Sequence, residues 1–175
     1  RLLMRVLVRL SARMDATYDN AYHHKLRGRV WGALEGTQYE GGHDDPTHPG
    51  FSYSNPFPPR DMREGDSRSL LVASPHEELL THVVTNLQEN RELNVGEMPF
   101  TVDDMSVIEP DVGEPGTTGI IETGTGVVTR VPEWKFEDYG IEPGGESFEF
   151  WSEEHPVEAF RTQLHDNLDQ KHEQF

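Results

Sequence analysis

Nine histidines, no cysteine and 32 acidic residues set the chemistry open to this 175-residue chain. Without a thiol there is no thiolate metal site, no cysteine nucleophile and no disulfide framework. Among the histidines, His43 has the setting best suited to chemistry. It stands in a glycine-flanked loop, Gly41-Gly42-His43-Asp44-Asp45, just after a basic segment and just before an aromatic one. An imidazole titrates near neutrality, so a histidine there can move a proton at a bound phosphodiester. Two other uses stay open: an ordinary loop histidine, or a ligand set made of His43, His48, Asp44 and Asp45. The remaining histidines offer less. His76 and His82 are six apart and do not share a helical face as the pair in H-E-x-x-H does. His23 and His24 are adjacent and point in different directions on a helix, and His155, His165 and His172 lie among acids near the end of the chain. No phosphate-binding glycine loop and no dinucleotide fingerprint is present, and Gly124-Thr125-Gly126 reads as a hairpin turn.

Charge adds a second clue. The formal net charge is −17, from 15 basic and 32 acidic side chains. The acids are dispersed from Asp15 to Glu173, lysine is scarce (Lys25, Lys135 and Lys171), and Leu, Ile, Val and Phe make up 40 of 175 residues. That pattern describes a thinly cored globular protein adapted to molar salt, or an acidic binder of cationic partners. Residues 1–30 nonetheless carry seven basic groups (Arg1, Arg5, Arg9, Arg13, Lys25, Arg27, Arg29) against Asp15 and Asp19, a net +5. The other 145 residues carry a net −22. A positive island in so acidic a chain points to an anionic partner for the N-terminal segment. At molar salt the Debye length is about 3 Å, so only cations in direct contact help, and arginine's bidentate fork suits that regime.

The elements that must position these residues can be read from periodicity. Met4, Val6, Val8 and Leu10 alternate as in a half-buried strand, although arginines at 1, 5, 9 and 13 would also line one helical face. A helix is expected over about 21–34, capped by Asp19 or Asn20, with Tyr22, Leu26, Val30 and Ala33 as its apolar stripe and Gly36 as its stop. The stretch Phe51-Ser52-Tyr53-Ser54-Asn55-Pro56-Phe57 reads as an aromatic strand, in which Tyr53 and Phe57 serve the core or stack on a nucleobase. A short strand over 69–73 leads into Ser74-Pro75-His76-Glu77, a cap, a first-turn proline and a capping-box glutamate. Leu79, Leu80, Val83, Val84 and Leu87 form the clearest helical stripe. Phe100 and Val102 alternate with one parity, Met105 and Val107 with the other, which predicts a strand bulged at Asp103-Asp104. Strand, helix, strand, strand, helix, strand is the order of an α+β, ferredoxin-like (βαββαβ) domain.

Residues 110–116 mark a boundary, giving a first domain at 1–112 and a second at 113–175. Strands are expected over 117–123 and 127–131, then a loop, then a last helix with Val157, Phe160, Leu164 and Leu168 as its stripe. The chain begins at Arg1 and stops with no closing strand, so the second domain reads as the incomplete start of another ferredoxin-like domain. No apolar run reaches the ~18 residues of a membrane span, and no signal peptide is visible. The expectation is a soluble, cytoplasmic protein with no membrane partner.

Taken together, Met4-Arg5-Val6-Leu7-Val8-Arg9-Leu10, Tyr18-Asp19-Asn20-Ala21-Tyr22-His23-His24-Lys25-Leu26-Arg27-Gly28, His43, the 51–57 stretch, Leu93-Asn94-Val95-Gly96-Glu97-Met98-Pro99-Phe100 and Asn167-Leu168-Asp169-Gln170-Lys171 carry a resemblance. The sequence resembles the CRISPR repeat-processing endoribonucleases of the repeat-associated (RAMP) superfamily, nearest to haloarchaeal members. The resemblance covers nearly the whole chain, and rests on the order and spacing of these segments more than on any one of them.

The resemblance implies two ferredoxin-like domains and metal-independent cleavage of precursor CRISPR RNA within each repeat. The ribose 2′-hydroxyl attacks the phosphate, leaving a 2′,3′-cyclic phosphate and a 5′-hydroxyl, with His43 in the place of the family's general acid/base. No metal or other cofactor is implied. The implied partners are precursor and mature guide RNA, held by Lys25, Arg27 and Arg29, and subunits of a type I effector complex. Where some members place a tyrosine and a lysine, this chain has Trp31 and Pro49. A tryptophan can stack on a base but has no hydroxyl, so the developing phosphate charge would fall to Lys25, Arg27, Arg29 or His24. The family's C-terminal glycine-rich loop has no match in these residues. Two further readings stand beside the nuclease: a non-catalytic RAMP subunit that binds guide RNA in a CRISPR effector complex, and a metal-dependent hydrolase built on His43, Asp44, Asp45 and His48.

Overall fold

The structure, a computed structural model, describes residues 4–40, 50–109, 116–120, 126–142 and 144–174. The chain divides into two compact units, Arg1–Val112 and Gly113–Phe175. His43, His48 and Pro49, with Asp44 and Asp45, lie outside the described residues.

The first unit is organised by β1 (Met4–Ala12), which runs antiparallel to β3 (Ser67–Ser74) on one side and to β5 (Met98–Ile108) on the other. Its alternation sends Val6, Val8, Leu10 and Ala12 into the core, and Arg5, Leu7, Arg9 and Ser11 to the opposite face. Outside β3 lies β2 (Ser52–Tyr53), and outside β5 lies β4 (Glu92–Val95), giving the sheet order β2-β3-β1-β5-β4. Between β1 and β2 runs α1 (Tyr22–Gly32), and between β3 and β4 runs α2 (Glu77–Glu89). Leu26 and Val30 of α1 and Leu79, Leu80, Val83 and Leu87 of α2 join the same buried cluster as the core-facing side of β1. Both helices thus cover one face of the sheet. The two residues of β5 opposite Arg9 and Leu10 are Asp104 and Val102, so Asp103 is the extra residue of a bulge, where the change of parity predicts one. Ser11 donates its hydroxyl proton to the Asp103 carboxylate, which fixes the bulge.

Several details depart from the expectations. The aromatic strand shrinks to two residues plus an isolated bridge between Phe57 and Ser69, because Pro56 and Pro58 have no N–H to give the ladder. Ser74 is the last residue of β3, and α2 begins only at Glu77. The Ser74 hydroxyl accepts from the His76 N–H at 3.0 Å and donates to the Gly50 carbonyl, so it closes a turn where a helix cap was expected. The β4–β5 hairpin was not anticipated. Its two-residue turn is Gly96-Glu97, with Gly96 at φ +62°, a conformation that favours glycine.

That turn also seats α1. A side chain at position 96 would overlap the carboxylate of Asp19. Asp19 accepts from the Ala21 N–H at 2.8 Å at the head of α1, and its own N–H points to Met98 Sδ at 3.4 Å.

The second unit is smaller. In it β6 (Arg130–Pro132) pairs antiparallel with β7 (Phe148–Phe150), a 3₁₀ turn (Glu133–Lys135) leads into α3 (Phe136–Tyr139), and α4 (Val157–Gln174) closes it. Val131, Phe136, Ile141 and Ala159 form its core. Residues 117–120 are outside any strand, and β6 pairs with 148–150 rather than with a strand just before it. Lys135 is buried and bonds Asp166, which turns that side of α4 inward, so Val157 and Leu168 of the expected stripe are exposed. Among the described residues no helix is long and apolar enough to cross a membrane.

Replacing Gly96 with alanine imposes a left-handed backbone on a residue with a Cβ and displaces the Asp19 carboxylate from Ala21. The expected loss is roughly 1–3 kcal/mol of stability. Urea unfolding in molar KCl measures it, and an unchanged midpoint would show that the turn does not hold α1.

Candidate functional site

The basic residues of the N-terminal segment are split by the fold between two faces. Arg5 and Arg9 share the helix-free side of β1, where Arg9 faces Asp104 across the ladder. Arg13, just beyond the strand, donates to Asn94 Oδ1 at 2.7 Å and pairs with Glu92 at 3.2 Å. The other cations lie on α1. His24, Lys25 and Arg27 are exposed there, in the first two turns of the helix. Arg29 is only half-buried and already committed: one Nη donates to Asn86 Oδ1 of α2 at 2.7 Å. Its other Nη is buried with no hydrogen-bond partner among the described residues, and burial lowers its pKa. Of the three cations expected to hold RNA, Lys25 and Arg27 are exposed on α1, whereas Arg29 ties α1 to α2.

The C-terminal half of α1 belongs to the core. Trp31 is 6 % exposed and packs edge-on against Phe51, 5.1 Å between centroids. Enclosed in this way, Trp31 presents no free ring face on which a base could stack. A bulky apolar ring next to Val30 at the sheet-facing side of the helix is worth more inside, where it fills the space over β2.

Beside the exposed cations stands a row of rings. Tyr22 lies nearly parallel to His23 at 4.3 Å, Tyr18 meets Tyr22 at 6.3 Å, and His23 meets Tyr53 of β2 at 5.9 Å. Tyr53 then meets Phe51 at 6.2 Å, so the row runs on to Trp31 in the core. The phenols are fixed at their far ends: Tyr53 donates to the His23 carbonyl at 2.9 Å, and Tyr18 accepts from Asn55 Nδ2 at 3.1 Å. Burial raises the Tyr22 pKa, with Tyr18 and Tyr53 adding to it. Burial also raises that of Tyr53, against the opposing charge of Arg27. Phe57 is 38 % exposed and stands apart from this row. In the sequence Tyr22 belongs to the helix stripe and His23 to an adjacent histidine pair, and neither position by itself marks a row of rings. The four-residue step from Tyr18 to Tyr22 was the local signal, but the contact with Tyr53 crosses thirty positions.

The segment that carries His43 leaves the described structure after Glu40 and re-enters at Gly50. Its two anchors lie at the start of α2. Tyr39 faces His76 at 6.1 Å and His82 at 6.3 Å, and His82 approaches Glu78 at 4.0 Å. A Cβ at position 50 would stand 3.4 Å from the His76 ring. Among the described residues no three histidine or acidic side chains are grouped to hold a metal ion. An open groove of about 750 Å³ lies elsewhere, lined by Asp15, Thr17, Arg60, Asp61, Arg63 and Asp66. Its acids are spent on local backbone: Asp61 accepts from Tyr18, Asp15 from Glu64, and Asp66 from Arg63.

A raised phenol pKa in the fold means that the neutral form is favoured there. The stability it contributes is intact below about pH 10 and is lost as the pH climbs through the raised values. In a spectrophotometric titration, Tyr22 and Tyr53 ionise later than ordinary phenols. Replacing Tyr53 with phenylalanine removes one late step and softens the loss of stability above pH 10. Uniform ionisation of all phenols would contradict the packing described.

No protein-family model matches the chain. Against curated proteins it is 51 % identical over 172 residues to the CRISPR-associated endoribonuclease Cas6 of Haloferax mediterranei, covering 98 % of this chain and 64 % of that protein. It is 24 % identical over 152 residues to the CRISPR-associated endoribonuclease Cas6 2 of Methanocaldococcus jannaschii, covering 87 % of this chain and 57 % of that protein. The chain thus spans less than two thirds of the length of these relatives. Among solved structures, it superposes with a TM-score of 0.53 and 15 % identity on one described as an RAMP protein binding different RNA substrates. It superposes with a TM-score of 0.52 and 13 % identity on a CRISPR associated protein Cas6. Each of these matches covers 85 % of this chain and 61 % of the other, and at such identity they speak for the fold alone. Over nearly its whole length, then, the chain is a homologue of a protein named as a CRISPR-associated endoribonuclease Cas6, the family its residues resemble.

Proposed function

We propose that this chain belongs to a repeat-specific endoribonuclease that cuts precursor CRISPR RNA without a metal ion. The observation that carries the reading is the 51 % identity to the Haloferax protein over 98 % of the chain. The exposed cations Lys25 and Arg27 beside a row of rings support it, since RNA offers phosphates to the first and bases to the second. The first unit, with helices on one face of its sheet and one added edge strand, is read as a ferredoxin-like domain, and residues 113–175 as the start of a second. The proposed setting is the cytoplasm, and the proposed partners are precursor and mature guide RNA and subunits of a type I effector complex.

In the proposed reaction the ribose 2′-oxygen forms a bond to phosphorus as the bond from phosphorus to the 5′-oxygen breaks. A base takes the 2′-hydroxyl proton and an acid returns one to the leaving 5′-oxygen, giving a cyclic phosphate and a 5′-hydroxyl. His43 is assigned the proton transfers. Trp31, enclosed in the core, supplies no group to the phosphate, so charge on the phosphoryl oxygens falls to cations such as Lys25 and Arg27. The same burial of Trp31 favours a second reading, an RNA-holding subunit that does not cut.

The test uses the full-length protein and end-labelled repeat RNA from the same genome, in molar KCl with EDTA. A single cut with a cyclic phosphate, slowed about 10²- to 10⁴-fold in His43→Ala, is expected. Binding without cleavage in both proteins would establish the RNA-holding subunit. Cleavage that EDTA abolishes would establish the metal hydrolase.

A further inference from the structure

We propose that the exposed part of the aromatic row, where His23 stacks on Tyr22, is a docking site for one unpaired nucleobase of the RNA, a site that deepens the RNA-processing reading and rests on it. Three observations support it. The row is continuous from the surface to the core, from His23 through Tyr53 and Phe51 to Trp31, so the exposed ring is backed by rings that cannot move independently. The Tyr53 hydroxyl is bound to the His23 carbonyl, which fixes the outer ring's backbone to the edge of the sheet. Arg27 lies one helical turn beyond His23, on the same side of α1, exposed and able to take a phosphate that flanks a stacked base.

The setting favours this mode of recognition. The chain's net charge of −17 repels RNA at long range, and at molar salt that field and any long-range attraction are both screened within about 3 Å. Affinity must then come from contacts that do not depend on distance-spanning charge. Stacking of a base on a held ring is such a contact, tolerant of base identity because every base has a π-face. A ring already ordered by its neighbours loses little conformational freedom when the base arrives. An unpaired base is required, because a paired one presents only its edge.

The test scans the repeat RNA with an abasic ribose at successive positions and measures Kd for full-length wild type, His23→Ala and His23→Phe in molar KCl. His23→Ala weakens unmodified RNA about 5- to 100-fold, and His23→Phe restores most of the loss. At one position the abasic RNA weakens wild type and leaves His23→Ala unchanged, which identifies the stacked base. If the row only supports the fold, His23→Ala lowers the melting temperature while every abasic penalty stays the same in both proteins, and the proposal is overturned. Equal weakening in His23→Ala and His23→Phe overturns it too, in favour of a role for the imidazole's hydrogen bonds or charge. Failure of wild type to bind repeat RNA in preference to an unrelated strand overturns the RNA-processing reading and this site with it.

Discussion

The position of β1 between two antiparallel partners is the constraint on which the first unit depends. A central strand has its backbone groups saturated on both edges, so it must present its side chains strictly by parity. In this chain the even positions, Val6, Val8, Leu10 and Ala12, are apolar and buried, and the odd ones include Arg5 and Arg9. Burying each large apolar side chain is worth about 1.5–3 kcal/mol, whereas a slip of one residue would exchange that whole set for arginines. Once the register is set, crossovers of a single hand place α1 and α2 on the same face, over the even positions. The bulge at Asp103 then absorbs the one residue by which β5 is out of step.

This arrangement decides what the basic residues can do. Seven cations in thirty residues look like one patch along the sequence, but parity sends the strand's arginines to one face of the sheet, while Lys25 and Arg27 are exposed on separate flanks of α1. Arg29, two positions on from Arg27, is turned far enough around the helix to meet Asn86 instead. Its half-buried charge is an orienting contact between helices, with one nitrogen lacking a partner among the described residues, rather than an extension of the exposed surface.

The sequence was most legible where one period repeated. Alternation in β1, the leucine and valine stripe of α2, and the change of parity that locates the bulge are all local patterns that packing then enforces. Legibility failed where a partner lies far along the chain or where one residue serves two purposes. Strand β4 offers only Leu93 and Val95 as apolar positions, too few to stand out, although Gly96 marked the turn beside it. Strand β7 is three residues long and pairs with β6 across a turn, a short helix and a glycine-rich stretch. In α4, an ion pair between Lys135 and Asp166 overrides the apolar stripe and rotates Val157 and Leu168 outward. The row of rings could not be read because His23 and Tyr53 meet only once the sheet has formed. Trp31 could not be placed by type alone, since tryptophan serves cores and stacking surfaces alike. His43 was legible as a histidine between glycines and acids, and its place lies outside the described residues.

Trp31 also explains why any function of α1 must be found at its beginning. Val30 and Trp31, and Ala33 and Leu34 just past the helix, are all buried, so the last turn and its exit fill the core. A reactive group there would have to be desolvated with the apolar side chains around it and could not reach a substrate. The first two turns are under no such demand. Only Leu26 among residues 22–28 is fully buried, which leaves positions 23, 24, 25 and 27 exposed where Tyr53 of the edge strand comes up beside the helix. The thin core of an acidic chain therefore divides α1 into a structural end and an available end. It places the available one, with its exposed cations and its rings, beside β2, the last strand of the sheet on that side.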